Sequence, residues 1–296
     1  MQASAASKLE DTHMNRNDST GRRQKTSQAG SRKRGSRLAG RAPVIIVVNN
    51  PTININLGSQ SGSGPGALVV PNSHVEFARL GLPGVWGIDV SHWQDQIDWA
   101  RVKQEGPDFA FLKATEGGDI VDATYARNWK ETKDKGILRG PYHFFRPRTN
   151  LQTQIDNFSR VIEANGIGVG DLPPVLDAEE PKLWKGIGKK AAADLCVGFL
   201  EGVKKNLGLR VPLIIYMSSS FSEEILGADP RLKQNILWVA DYTPPVPGQP
   251  RVPKPWDSWD FYQFTEHGTM PGINGKDVDI NRFNGDRSRL QSLLIR

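Results

Sequence analysis

From Val85 onward the chain alternates short apolar runs with amphipathic stretches, and this alternation restricts its fold more than any other feature. Strand-like runs occur at Val85–Val90, Phe109–Ala114, Leu138–Phe145, Pro174–Leu176, Val211–Met217, Ile236–Ala240, Phe261–Phe264 and Val278–Ile280. Segments of helical character separate the first five: Ile97–Glu105, Asp122–Lys135, Asn150–Asn165 and Ala191–Leu207. Strand–helix alternation implies a parallel sheet with right-handed crossovers. Eight strands favour a closed barrel over an open sheet. The later connections leave less room for full helices, so an irregular second half is expected.

The preceding 84 residues have a different character. Residues 1–42 carry ten of the chain's 38 basic residues and three of its 32 acids, a net +7. The remainder has 28 bases against 29 acids, so the overall charge of +6 belongs to this arm and not to the barrel. Its Ser, Arg, Lys, Gly and Gln content cannot bury a core, and a disordered segment is expected. Val44–Val48 and Thr52–Leu57 read as two short strands, the second with period-2 alternation. Residues 58–66, GSQSGSGPG, read as a flexible linker. The expected divisions are 1–42, 43–84 and 85–296.

No folded basic face or recognition motif accompanies the arm, so nucleic acid is not expected as the main partner. The longest N-terminal apolar run, Val44–Val48, is too short for a signal-peptide core or a membrane span. The single cysteine, Cys196, excludes an intramolecular disulfide.

Chemistry-bearing residues gather where the strand-like runs end. Asp89 lies in GIDVS, Lys113 and Glu116 in LKATEG, and Tyr142 and His143 in GPYHFF. Asp177 and Glu179 follow in VLDAEE, Tyr216 in IIYMS, and Asp241 and Tyr242 in WVADY, then Gln263 in FYQFT and Asp279 in DVDIN. In a barrel of this type the site forms at the C-terminal ends of the strands. Residues 177 and 179 in strand geometry share a face, with α-carbons roughly 6.5–7 Å apart. Val175 would share that face, while Leu176 and Ala178 would turn to the helices. Two acids on one inner face raise the pKa of one of them, and a proton donor beside an anion is what glycosidic cleavage requires.

Other readings fit the same residues. Asp89 suits a turn cap, Asp177 with Glu179 suits a metal site, and His143 suits a satisfied core histidine. The aromatics Trp93, Tyr142, Phe144, Trp238, Tyr242 and Tyr262 suit barrel packing, or platforms for stacking sugars. The five histidines form no HExxH or zinc spacing, and no Walker A loop or G-x-S-x-G elbow occurs.

Seven segments occur together in order: GIDVSHWQDQIDW (87–99), FLKATEGG (111–118), RGPYHFF (139–145), PPVLDAEE (173–180), LIIYMS (213–218), LWVADY (237–242) and YQFTEHGTMPGINGKDVDINRF (262–283). Over residues 85–296 the chain thus resembles the glycoside hydrolase family 25 muramidases, the Chalaropsis-type lysozymes of phage endolysins and bacterial autolysins. The resemblance implies an irregular TIM-like α/β barrel of five β/α units followed by three strands. It implies retaining hydrolysis of the β-1,4 bond between N-acetylmuramic acid and N-acetylglucosamine in peptidoglycan, without metal or cofactor. Glu179 falls on the family's general acid and Asp177 on its partner. Asp89 and Asp279 fall on the first-strand and last-strand acids, and Tyr142, His143, Tyr216 and Gln263 on groove-lining positions. Trp238 and Tyr242 join them as candidate substrate contacts.

The resemblance does not cover the N-terminal extension. The extension is expected to be a solvated arm, or an anchor to a phage structural protein or an anionic envelope surface. Action on the bacterial wall without a signal peptide implies release by phage lysis, virion delivery or non-standard export. A non-catalytic glycan-binding barrel is the competing expectation; its signature, loss of Glu179 or Asp177, is absent.

Overall fold

The structure, a computed structural model, describes residues 84–246 and 248–296 and the backbone of two short strands, β1 (Ile45–Ile46) and β2 (Ile53–Asn54). The chain divides into two units, Met1–Ser59 and Gln60–Arg296. In the first, β1 and β2 pair antiparallel, with Ile45 opposite Asn54 and Ile46 opposite Ile53. Both fall within the strand-like runs expected there. The expected disordered arm and linker lie outside the described residues.

The second unit runs β3 (Trp86–Val90), α1 (Trp99–Glu105), β4 (Phe109–Glu116), β5 (Ile120–Val121), α2 (Tyr125–Asp134), β6 (Leu138–Phe144), α3 (Leu151–Ala164), β7 (Val175–Asp177), α4 (Lys189–Asn206), β8 (Ile214–Ser218), α5 (Phe221–Glu224), β9 (Ile236–Ala240), β10 (Phe261–Gly268), β11 (Val278–Phe283) and α6 (Arg287–Ser292). Strands β3, β4, β6, β7, β8, β9, β10 and β11 pair in a ring closed by β3–β4, and β5 hangs antiparallel on β4. The expected architecture of five β/α units and then three strands is the one observed. Helix boundaries follow from capping. Asp98 accepts from the N–H groups of Ala100 and Arg101 at 3.1 Å to start α1, and Gly106 ends it at φ 85°. Asn150 accepts from Thr153 N–H at 3.0 Å to start α3.

The expected all-parallel sheet needs one correction. Seven ring strands run parallel, but β11 is antiparallel to both β10 and β3. Residues 269–277, the link from β10 to β11, hold no helix, and a connection that short suits an antiparallel return better than a parallel crossover. Asp279 therefore lies near the entry of β11 and not at its C-terminal end. Reversal of the strand brings that entry to the same rim as the exits of the parallel strands.

Two apolar layers hold the barrel. The interior contains Phe109, Phe111, Val175, Ile214, Trp238, Phe261 and Phe283, with Leu290 of α6 among them. Gly87 and Gly140 make room for the phenyl rings: a Cβ at Gly87 would meet the Phe109 ring at 2.5 Å, and one at Gly140 the Phe111 ring at 2.8 Å. The second layer lies between strands and helices and includes Leu176, Ala178, Phe158, Phe199 and Cys196. Val175 faces inward and Leu176 and Ala178 face the helices, as period-2 alternation requires. Among the described residues, no helix is long and apolar enough to cross a membrane.

Candidate active site

The rim where the parallel strands exit holds a cleft of about 220 Å³. Asp89, Asp177, Glu179, Asp279, Tyr142, Tyr216, Trp238, Tyr242 and Gln263 all line it. Of the residues predicted to catalyse or to bind substrate, only His143 stands outside, and the strand-end acids Glu116 and Asp241 do not line it either. Tyr142 and His143 are successive on β6, so they point to opposite faces. His143 is fully buried in the helix layer, stacked on Phe199 at 4.8 Å between centroids. Its Nδ1 meets the Thr115 hydroxyl at 2.7 Å and its Nε2 meets Gln154 Oε1 at 3.2 Å. Burial pushes its pKa down to about 3, so it is neutral. The groove-lining position implied for His143 is thus corrected to a packed, hydrogen-bonded core position.

Glu179 follows β7 and is fixed from behind. Its backbone carbonyl accepts from the Trp184 indole N–H at 3.0 Å. The next residue, Glu180, sits at φ 56°, a left-handed conformation that non-glycine residues adopt rarely and at functional sites. Burial, then the adjacent Glu180 carboxylate and Asp89, push the Glu179 carboxyl up to about 7. Asp177 lies deeper; burial and the Glu179 charge hold its pKa well above the usual carboxylate range. Its Oδ1 is buried and has no hydrogen-bond partner, an uncommon state for such a group.

Across the cleft, Asp89 and Asp279 are register partners on β3 and β11. Gln263 Nε2 and Asn281 Nδ2 donate to Asp89 Oδ2 at 2.9 and 2.7 Å. Burial and the Asp89 charge push Asp279 up to about 10.

Tyr216 and Tyr242 donate their hydroxyls to Gln263 Oε1 at 2.7 and 2.6 Å. Trp238, stacked on Phe111 at 4.3 Å, donates its indole N–H to Asn281 Oδ1 at 2.8 Å. Tyr216 and Trp238 are therefore floor, while Tyr242 is 39 % exposed and Trp93 69 % exposed at the margins.

Lys113 reaches the cleft by period-2 alternation from the interior residues Phe109 and Phe111, and β4 carries a bulge directly after it. The register with β6 shifts between Lys113 and Thr115, so Thr115 turns outward to His143 while Glu116 pairs with Phe144. Lys113 Nζ then meets Glu116 Oε2 at 2.7 Å, and Arg146 pairs with the other oxygen of Glu116. The Lys113 ammonium partly offsets the charge on Asp177 and Glu179.

Sequence reasoning singled out neither Asn281 nor Glu266, although Asn281 donates to Asp89 and Glu266 lines the cleft. Asn281 had a usable signal, since it stands two residues beyond Asp279 on one strand and shares its face. Glu266 had none, because β10 changes register twice beyond Gln263. Among the described residues, no group of three or more His, Cys, Asp or Glu is arranged to hold a metal ion.

A family model described as "Glycosyl hydrolases family 25" matches residues 88–273. The chain is 36% identical over 218 residues to the uncharacterized protein YegX of Escherichia coli strain K12, covering 71% of this chain and 73% of that protein. It is 35% identical over 219 residues to lysozyme M1 of Streptomyces globisporus, covering 71% of each. The crystal structure of the bacterial lysozyme from Streptomyces coelicolor matches with a TM-score of 0.65 and 33% identity, over 72% of this chain and 98% of that one. Acids gathered on one barrel rim and a family match across that barrel lead to one conclusion: the chain belongs to glycosyl hydrolases family 25 and is a glycoside hydrolase of the lysozyme class.

Proposed function

We propose that this enzyme hydrolyses peptidoglycan at the β-1,4 bond between N-acetylmuramic acid and N-acetylglucosamine, with retention at the anomeric carbon. Glu179 is the general acid, and Asp177 assists the substrate's own acetamido group as nucleophile. The observation that carries this reading is the pairing of a proton donor with an unsatisfied acceptor in one cleft. The Glu179 carboxyl, pushed up to about 7, holds a proton near neutral pH where a leaving alkoxide needs one. Asp177 lines the same cleft, and its carboxylate has no donor among the described residues.

An acetamido N–H supplies that donor. A hydrogen bond to the carboxylate favours its charged form, so substrate binding draws the pair toward ionised Asp177 and protonated Glu179. The acetamido oxygen then attacks the anomeric carbon as the glycosidic C–O bond breaks. Glu179 gives its proton to the leaving oxygen, and Asp177 stabilises the positive charge growing on the acetamido nitrogen. Water, deprotonated by Glu179, opens the cyclic intermediate from the face the leaving group vacated, which restores the original configuration.

The test is digestion of purified peptidoglycan by wild type and Glu179→Gln, with identification of the new reducing ends. Muramic acid ends from wild type and none from the variant are expected. Glucosamine ends would reverse the bond assignment, and no cleavage by wild type would leave a glycan-binding barrel.

The basic arm, with its +7 charge, is proposed as an anchor to a phage particle or an anionic envelope surface. Deletion of residues 1–66 is expected to reduce association with particles or envelopes; unchanged association with both sinks the proposal.

A further inference from the structure

Asp89 and Asp279 differ sharply in their surroundings. Asp89 Oδ2 accepts two amide N–H groups, from Gln263 and Asn281. Asp279 is the register partner of Asp89, and among the described residues no side-chain amide donates to it. The orientation of both amides is dictated from outside the pair. An indole N–H can only donate, so Trp238 forces Asn281 to turn its oxygen away and its NH2 toward Asp89. Gln263 Oε1 takes hydroxyl protons from both Tyr216 and Tyr242, which commits its NH2 to Asp89 as well. Asp89 Oδ2 is therefore an acceptor. Donors to a carboxylate favour its charged form, and Asp279 has none.

We propose that Gln263 and Asn281 are positioning residues that hold Asp89 as the ionised member of the Asp89–Asp279 pair, so that Asp279 enters the reaction neutral and donates its proton in a hydrogen bond to Asp89. Asp89 then supplies the negative charge on that side of the cleft, and Asp279 acts as neither base nor nucleophile. The assignment rests on the muramidase reading of the cleft. It also leaves Gln263 a single N–H for any substrate contact, since both oxygen lone pairs and the other N–H are already used.

The other titratable groups around the pair are those of the cleft. Lys113 of β4, Tyr142 of β6 and Asp177 of β7 line it. Glu179, Tyr216, Tyr242 and Glu266 line it as well. None of them donates a hydrogen bond to Asp279 among the described residues, so these neighbours act on the pair by charge.

Asp279→Asn keeps a donor toward Asp89 but cannot ionise, whereas Asp279→Ala removes the donor. With both variants folded by their melting curves, Asn is expected to keep kcat on peptidoglycan within about tenfold of wild type. Ala is expected to lose about a hundredfold or more. Asn as inactive as Ala, against an active wild type, overturns the proposal.

Gln263→Leu removes one donor from ionised Asp89. The acid limb of its kcat/KM profile should move up by about one pH unit. A limb that stays in place removes the amide lock. One readout needs no turnover. With carboxyl-labelled aspartate, the NMR signal lost on Asp279→Asn at pH 7 should be one in the neutral-acid range. Loss of an ionised signal overturns the assignment even if wild type cleaves nothing, in which case the muramidase reading fails separately.

Discussion

Trp184 donates its indole N–H to the backbone carbonyl of Glu179 at 3.0 Å. The indole is itself wedged between Phe145 and Phe221, with ring centroids 5.6 and 5.5 Å away. A packed aromatic cluster thus sets the position of the proposed acid. Trp184→Phe keeps much of the packing but removes the bond. It should lower stability by about 1–3 kcal/mol and reduce kcat by about tenfold or more with a smaller change in KM. Melting curves and steady-state kinetics check both; an unchanged kcat would show that the bond does not place Glu179.

Glu180 is exposed, yet after burial it is the leading cause of the raised Glu179 pKa. Glu180→Gln removes that charge and lowers the Glu179 pKa below about 7. A general acid with a lower pKa loses its proton at lower pH, so the alkaline limb of kcat/KM should move toward acid. A limb that moves the other way or stays fixed would separate Glu180 from the acid's tuning.

The raised Glu179 pKa also costs stability. Folding holds this carboxyl protonated up to about 7, whereas the unfolded chain releases the proton near the ordinary glutamate value of 4.5. Between those values the native state binds more protons, so this contribution to stability falls as pH rises. Glu179→Gln should therefore melt higher than wild type at pH 8, by about 1–3 kcal/mol, with the gap closing below about pH 4.5. Equal melting temperatures at pH 8 would contradict a destabilising buried carboxylate.

His143 and Trp93 should fail in opposite ways. His143→Leu leaves the Thr115 hydroxyl and the Gln154 amide without their buried partner, a loss of about 1–3 kcal/mol, while KM for the glycan stays near wild type. Trp93, 69 % exposed at the cleft margin, should tolerate Ala without loss of stability but with a raised KM. Chemical denaturation and kinetics of the two variants distinguish the roles. A raised KM in a folded His143→Leu protein would return that residue to the groove.

Residues 85–296 announce their fold in sequence because strand and helix periods are local properties. A run such as Phe109–Ala114 is legible from its own residues, and so is the inward face shared by Val175 and Asp177. The candidate acids were legible for the same reason, since a buried strand that ends in Asp177 and Glu179 violates the usual avoidance of buried charge.

Two things needed the tertiary structure. The β4 bulge turns Glu116 to the face of Lys113 and Thr115 away, and it is set by pairing with β6, not by anything within LKATEG. The reversal of β11 places Asp279 opposite Asp89, 190 positions earlier in the chain, and brings Asn281 and Gln263 onto one carboxylate oxygen. Sequence determined which residues carry charge and which face of a strand they share. Only the closed ring decided which acids meet and which of their oxygens find a donor, because hydrogen bonds across a barrel depend on register between distant strands.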